Sequence, residues 1–114
     1  MQQYNNFNAV LTAWEALPVP GRLYIEGEKT SSWRDSTFWA VSSREAKDAE
    51  IVQDEYGSVP DFLAGKGAKS FLDTATFQDI IENKIESNDE LSTNDVATFY
   101  KAVQHYLEYD DFED

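Results

Sequence analysis

The 114-residue chain contains no cysteine. This absence excludes a disulfide framework, a thiolate zinc site and a catalytic thiol. No stretch approaches the roughly 18 consecutive apolar residues of a membrane-spanning helix. The N-terminal sequence MQQYNNFNAV also lacks the basic start and apolar run of a signal peptide. We therefore expect the chain to stay in the cytoplasm, where it is made.

The chain also has few basic residues. The chain has 9 Lys and Arg residues against 22 Asp and Glu residues, a formal net charge of −13. Residues 1–57 carry 5 basic and 9 acidic residues, a net of −4, and residues 58–114 carry 4 and 13, a net of −9. A surface of this sign repels nucleic acid and anionic membranes and attracts basic proteins. We expect a protein partner, and neither nucleic acid nor membrane.

Apolar residues are present in sufficient number for one folded core. Hydrophobic residues make up 41% of the chain and aromatic residues 14%, which excludes disorder throughout the chain. A chain of this length has the usual size of one domain. We expect residues 1–114 to form a single domain and to fold as a monomer.

The apolar spacing predicts an α+β fold. Helical periodicity indicates helices over residues 5–17 and 76–86 and from near Thr93 to Leu107. The segments RLYIE and TFWAV are predicted as neighbouring antiparallel strands, and SFL as a further short strand. Residues 42–61 are predicted as a loop with at most one short strand at Ile51–Val52, and FLAGKGAK as a turn. The order predicts a small antiparallel sheet of three to four strands, with an N-terminal helix and two C-terminal helices packed on it.

Three features have some resemblance to chemical sites, and each falls short. His105, the only histidine, is predicted at the boundary of a helix surface, although a small enzyme using it stays open as an alternative. GKGAKS lacks the glycine pattern of a phosphate-binding loop. NDELSTND has oxygen ligands but lacks the glycine of a calcium loop. We predict no catalytic, cofactor or metal site, and a protein that is not an enzyme.

The closing sequence EYDDFED combines five carboxylates with two rings. It falls at the C-terminal end of the third predicted helix, where the helix dipole favours Lys or Arg by roughly 0.3–1 kcal/mol per charge. Trp33–Asp35 and Asp54–Tyr56 also place a ring beside acids. Aromatic residues supply contact area and acids select a basic partner, although a solvated acidic face with rings turned inward would give the same pattern. The predicted partner-binding residues are Trp33, Asp35, Asp54, Glu55, Tyr56, Tyr106, Glu108, Tyr109, Asp110, Asp111 and Glu113.

Four segments carry a resemblance to a known group of proteins: LPVPGRLYIE, SSWRDSTFWAV, FLDTATFQDIIENK and AVQHYLEYDDF. Together they resemble the small acidic immunity proteins of bacterial contact-dependent growth inhibition and polymorphic toxin systems. The resemblance implies a cytoplasmic, non-enzymatic inhibitor that binds one cognate toxin domain as a 1:1 heterodimer. Many such toxins are nucleases, and an RNase is favoured over a DNase.

A second class of function has the same charge requirement. An acidic mimic of nucleic acid, such as a phage anti-restriction protein, would bind several unrelated nucleases. It would need acids spaced along one face like phosphates. The uneven charge of the two halves of the chain fits a mimic less well than it fits an inhibitor of one partner.

Overall fold

The computed structural model describes residues 1–26, 33–54, 57–87, 90–92 and 94–111. The strands are β1 (Gln2–Tyr4), β2 (Gly21–Glu26), β3 (Phe38–Ser42), β4 (Ile51–Asp54), β5 (Gly57–Pro60) and β6 (Ala68–Asp73). The helices are α1 (Phe7–Thr12), α2 (Ser43–Ala46), α3 (Asp61–Ala64), α4 (Thr74–Ser87) and α5 (Val96–Tyr109). Short 3-10 turns cover Trp14–Ala16 and Trp33–Asp35.

Four strands form the main sheet in the order β1-β3-β2-β6, with every neighbouring pair antiparallel. The predicted pairing of RLYIE with TFWAV is confirmed, because Leu23 lies opposite Ala40 and Ile25 opposite Phe38. The α+β prediction is confirmed as well. Strand β1 was not predicted, because its sequence Gln-Gln-Tyr is polar and lies at the sheet edge.

Helices α1, α4 and α5 cover one face of this sheet. Alternation along β2 directs Leu23 and Ile25 to the helical side and Tyr24 to the other. The fully buried helical residues in this core include Phe7, Val10, Leu11, Phe77, Ile81, Phe99 and Val103. The apolar faces predicted for the three helices are therefore those that form the core.

A second, smaller layer covers the opposite face of the sheet. Tyr24, Trp39 and Val41 pack there against Val59 of β5 and Leu63 of α3. The sequence interpretation was wrong in treating residues 42–61 as mainly loop, since β4 and β5 form a two-stranded sheet. It was also wrong in treating FLAGKGAK as a turn alone, because that segment includes most of α3. Few residues of this layer are buried, so the spacing of its apolar residues in the sequence is too short to predict strands or a helix.

Two helix boundaries also differ from the prediction. Helix α1 stops at Thr12, and a 3-10 turn completes the predicted segment. Helix α4 begins at Thr74, before the predicted start at residue 76. The Thr74 hydroxyl donates a hydrogen bond of 2.6 Å to the carbonyl oxygen of Pro18, which fixes the start of α4 against the end of the first helical segment.

No helix among the described residues has both the length and the apolar character to cross a membrane. The two longest, α4 and α5, have 14 residues each.

Candidate functional site

Helix α5 presents the C-terminal acids. It buries a stripe formed by Phe99, Ala102 and Val103. After Tyr109 the helix stops because Asp110 adopts the left-handed conformation, with φ 54° and ψ 32°. This is the conformation in which glycine usually ends a helix. The chain therefore leaves the helix at a carboxylate.

The residues around this stop form a surface that we call the α5 terminus: Glu108, Tyr109, Asp110 and Asp111. All four are exposed, and the Tyr109 ring retains 62% of its accessible surface. The last turn of α5 contains no basic residue. The side chains of Glu108 and Asp110 form no ion pair with any described residue. Three carboxylates thus stand at the helix end where the dipole is unfavourable to them.

Two other predicted residues near this end have different surroundings. Tyr106 is half-buried and packs against the core, so it presents only part of its ring. Glu113 lies outside the described residues. The α5 terminus therefore contains the four predicted residues that the structure places together and exposed.

His105 lies beside a shallow depression on α5. The depression has a volume of about 160 Å³ and is lined by Lys101, Gln104, His105 and Glu108. The imidazole and the Tyr109 ring are 4.7 Å apart between centroids. None of the four lining residues carries a hydroxyl or thiol, so this depression does not pair the histidine with a Ser or Thr nucleophile.

Trp33 is a correction to the predicted contact residues. Its side chain is 1% exposed, because it stands at the centre of an aromatic cluster with Phe7, Phe71 and Tyr100. Burial of this kind contradicts a role in contacting a partner. Asp35, two residues later, is exposed.

The predicted residues Glu55 and Tyr56, and the side chain of Asp54, lie outside the described residues. The base of the same hairpin is described, and it forms a groove of about 510 Å³. We call this the acidic groove; it is lined by Glu45, Asp48, Ala49, Glu50, Asp61 and Phe62. Sequence reasoning missed it, although a signal was present, since residues 48–61 contain five acids and no base.

The Glu45 side chain has defined partners among the described residues. Its side chain accepts a hydrogen bond of 3.1 Å from the backbone N–H of Ser42, and the Ser42 hydroxyl accepts one from the Glu45 N–H. The amino group of Met1 also donates to Glu45. These contacts, the amino group first, lower the pKa of Glu45 below its ordinary value. Asp48, Glu50 and Asp61 form no ion pair with any described residue.

Two sequence features remain, GKGAKS and NDELSTND. Residues Gly65–Gly67 form a turn before β6, with Gly67 at φ 73°, and Lys66 lies 5.5 Å from the Trp39 ring centroid. In the segment NDELSTND, residues 88, 89 and 93 lie outside the described part, and Asp95 accepts a hydrogen bond from the Ser92 N–H. Across the described ranges, no three His, Asp or Glu side chains are grouped as metal ligands.

Residues 4–113 match the family described as Domain of unknown function (DUF7716), and the chain belongs to that family. No curated protein and no solved structure matches the chain. The family description states no activity.

Proposed function

We propose that this family member is a cytoplasmic immunity protein that binds and neutralises one cognate basic toxin domain. The partner is proposed to be a nuclease, with an RNase favoured, bound 1:1 and without chemistry by the inhibitor itself. The observation that carries the proposal is the α5 terminus, where Glu108, Asp110 and Asp111 surround an exposed Tyr109.

The position of these acids supports a role outside the fold. A carboxylate at a helix C-terminus costs stability, on the order of 0.3–1 kcal/mol when well placed. Glu108 and Asp110 form no ion pair with a described residue that would offset that cost. A basic partner would supply the missing positive charge, and the Tyr109 ring would supply apolar contact area.

The charge of the whole chain supports a nuclease as the partner. Enzymes that act on nucleic acid carry Lys and Arg to hold phosphates, so their active sites have a positive field. A protein with a net charge of −13 is drawn into that field and competes with the substrate for it. The resemblance of the four sequence segments to immunity proteins points in the same direction.

The direct test is co-expression with the product of the neighbouring upstream reading frame. We expect a 1:1 complex with its C-terminal domain, and rescue of growth when that domain is toxic. Unrelated basic nucleases serve as controls and should not bind. Failure to form a complex would overturn the proposal, and equal binding to the whole nuclease panel would favour a nucleic-acid mimic instead.

A further inference from the structure

We propose that the outer edge of β4 accepts an extended, Lys- or Arg-bearing segment of the partner as an added strand. The identity of the partner as a toxin rests on the proposed function above, whereas the edge itself is argued from the structure. Among the described residues, β5 is the only strand paired with β4. The other side of β4 is therefore open with respect to the described part of the chain.

Hydrogen-bonded pairs alternate along the β4–β5 hairpin. The N–H of Asp61 donates to the carbonyl oxygen of Glu50 at 2.8 Å, and Val52 lies opposite Val59 two residues on. Alternation in an antiparallel ladder makes these the hydrogen-bonded pairs and Ile51–Pro60 a non-bonded pair. Proline has no N–H, which is consistent with that assignment.

The residues between the bonded pairs face the open side. In this register the backbone N–H and C=O of Ile51 and Gln53 point away from β5. These two residues offer two donors and two acceptors at the spacing that a further strand requires. An extended peptide that pairs with such an edge gains main-chain hydrogen bonds, as in other cases of strand addition.

Apolar side chains accompany this edge. Ile51 is 50% exposed, Val52 is 43% exposed and Phe62, at the adjoining acidic groove, is 38% exposed. Edge strands left open in a folded chain usually carry charge that discourages pairing. Here Ile51 and Val52 lie on the edge strand, which ends at Asp54, and the acids of the acidic groove adjoin it.

Charge complementarity selects the occupant. Residues 48–61 hold five acids and no base, and the nearest preceding bases are Arg44 and Lys47. A strand that carries Lys or Arg would place its cations against Asp48, Glu50 and Asp61 while its backbone pairs with β4. A second copy of the chain is disfavoured as the occupant, because pairing two β4 edges would bring the acids of one acidic groove towards those of the other.

The test uses a capped eight-residue peptide of alternating Lys and Val, titrated into the isotope-labelled chain and followed by backbone amide NMR. We expect the amide signals of Ile51 and Gln53 to shift and their hydrogen exchange to slow. A capped Glu–Val peptide of the same length should produce neither effect. Raising salt should weaken the Lys–Val complex, because the groove charges are exposed to solvent.

A matched pair of variants isolates the backbone contribution. Gln53→Pro removes an outward N–H, and Gln53→Ala keeps it. Both lose the 2.7 Å hydrogen bond from the Gln53 side chain to the Ser58 hydroxyl. Proline is tolerated where a strand N–H faces solvent, so we expect Gln53→Pro to fold. It should bind the peptide roughly tenfold more weakly than wild type, because one main-chain hydrogen bond is lost. Gln53→Ala should bind the peptide like wild type.

Several results would overturn the inference. The first two concern the NMR titration: no shift of the Ile51 and Gln53 amide signals with about 1 mM Lys–Val peptide, or shifts confined to the α5 terminus. The third is equal binding of the Glu–Val peptide. The fourth is a dimer of the wild-type chain that Gln53→Pro abolishes. If Gln53→Pro leaves a toxin complex intact, the edge inference fails and the proposed function stands. If the peptide binds at β4 but no toxin complex forms, the proposed function fails and the edge inference stands.

Discussion

The backbone N–H of Asp110 donates a 2.8 Å hydrogen bond to the carbonyl oxygen of Tyr106, and this bond closes α5 with a left-handed carboxylate residue. Glycine adopts the left-handed conformation without steric cost, whereas a residue with a Cβ adopts it at a cost in free energy. The cap is thus suboptimal in both backbone conformation and charge. A substitution that removes the Asp110 carboxylate should therefore stabilise the fold, although it also removes negative charge from the surface.

The first prediction concerns this cap. Asp110→Gly should raise the free energy of unfolding by about 0.5–1 kcal/mol, because it relieves the left-handed strain and one unfavourable dipole contact. Denaturant unfolding measures the change. Asp111→Gly is the matched control, since Asp111 is not at a left-handed position, and it should not be stabilised to that extent. Equal effects of the two substitutions would contradict the assignment of strain to Asp110.

The second prediction concerns Gly21, at the start of β2. A Cβ added there would lie 2.7 Å from the carbonyl oxygens of both Pro18 and Val41. Gly21→Ala should therefore destabilise the chain by about 1–3 kcal/mol, because backbone must move to admit the methyl group. Gly65→Ala is the control, since nothing lies within 4 Å of its added Cβ. A Gly21→Ala variant as stable as Gly65→Ala would contradict this packing.

The third prediction concerns alkaline pH. Burial raises the pKa of Tyr24 above its ordinary value of 10.0; Arg22 has a smaller opposing effect and Asp73 a smaller raising effect. A raised pKa means that the unfolded chain releases the phenol proton first as pH rises. The contribution of Tyr24 to stability is therefore present below its unfolded pKa and lost as pH rises past it.

Urea unfolding between about pH 9 and pH 11 tests this linkage. Tyr24→Phe should make the loss of stability with rising pH less steep. Burial also raises the pKa of Tyr4, so the double variant with Tyr4→Phe should have a flatter profile still. A Tyr24→Phe profile that falls as steeply as wild type would show that Tyr24 is not the group responsible.

The sequence predicted the parts of the fold whose signals are long and local. Helices α4 and α5 each repeat apolar residues over 14 positions, and Leu23, Ile25 and Phe38 have the apolar character of central strands. The hairpin was not predicted, because Val59 and Pro60 are the only buried residues in the described part of it. Its position depends on Trp39 and Leu63, which lie outside it in the chain.

The candidate site was predicted only in part, because the sequence shows local composition but not contacts between distant residues. Local charge and aromatic content located Glu108, Tyr109 and Asp110 correctly at an exposed helix end. The same pattern failed at Trp33, because its burial depends on stacking with Tyr100, at 4.3 Å between ring centroids. A contact between residues so far apart in the chain leaves no mark on the residues beside Trp33.

The proposed function requires that the charges of the α5 terminus act on the partner and that comparable charges elsewhere do not. Helix α4 offers a matched set, since Asp79, Glu82 and Glu86 are also exposed on a helix surface. One variant carries Glu108→Gln, Asp110→Asn and Asp111→Asn, and the other carries Asp79→Asn, Glu82→Gln and Glu86→Gln. Each removes three negative charges, so the two have the same net charge.

The deciding measurement is the association rate of each variant with the co-expressed basic toxin domain at low salt. We predict that the α5 variant associates roughly tenfold more slowly, because exposed interface charges steer encounter, while its dissociation rate and fold are retained. The α4 variant should associate at nearly the wild-type rate. At high salt the association rates of the wild type and the two variants should become similar. An α5 variant that melts at a lower temperature yet associates like the α4 variant would contradict the proposed function.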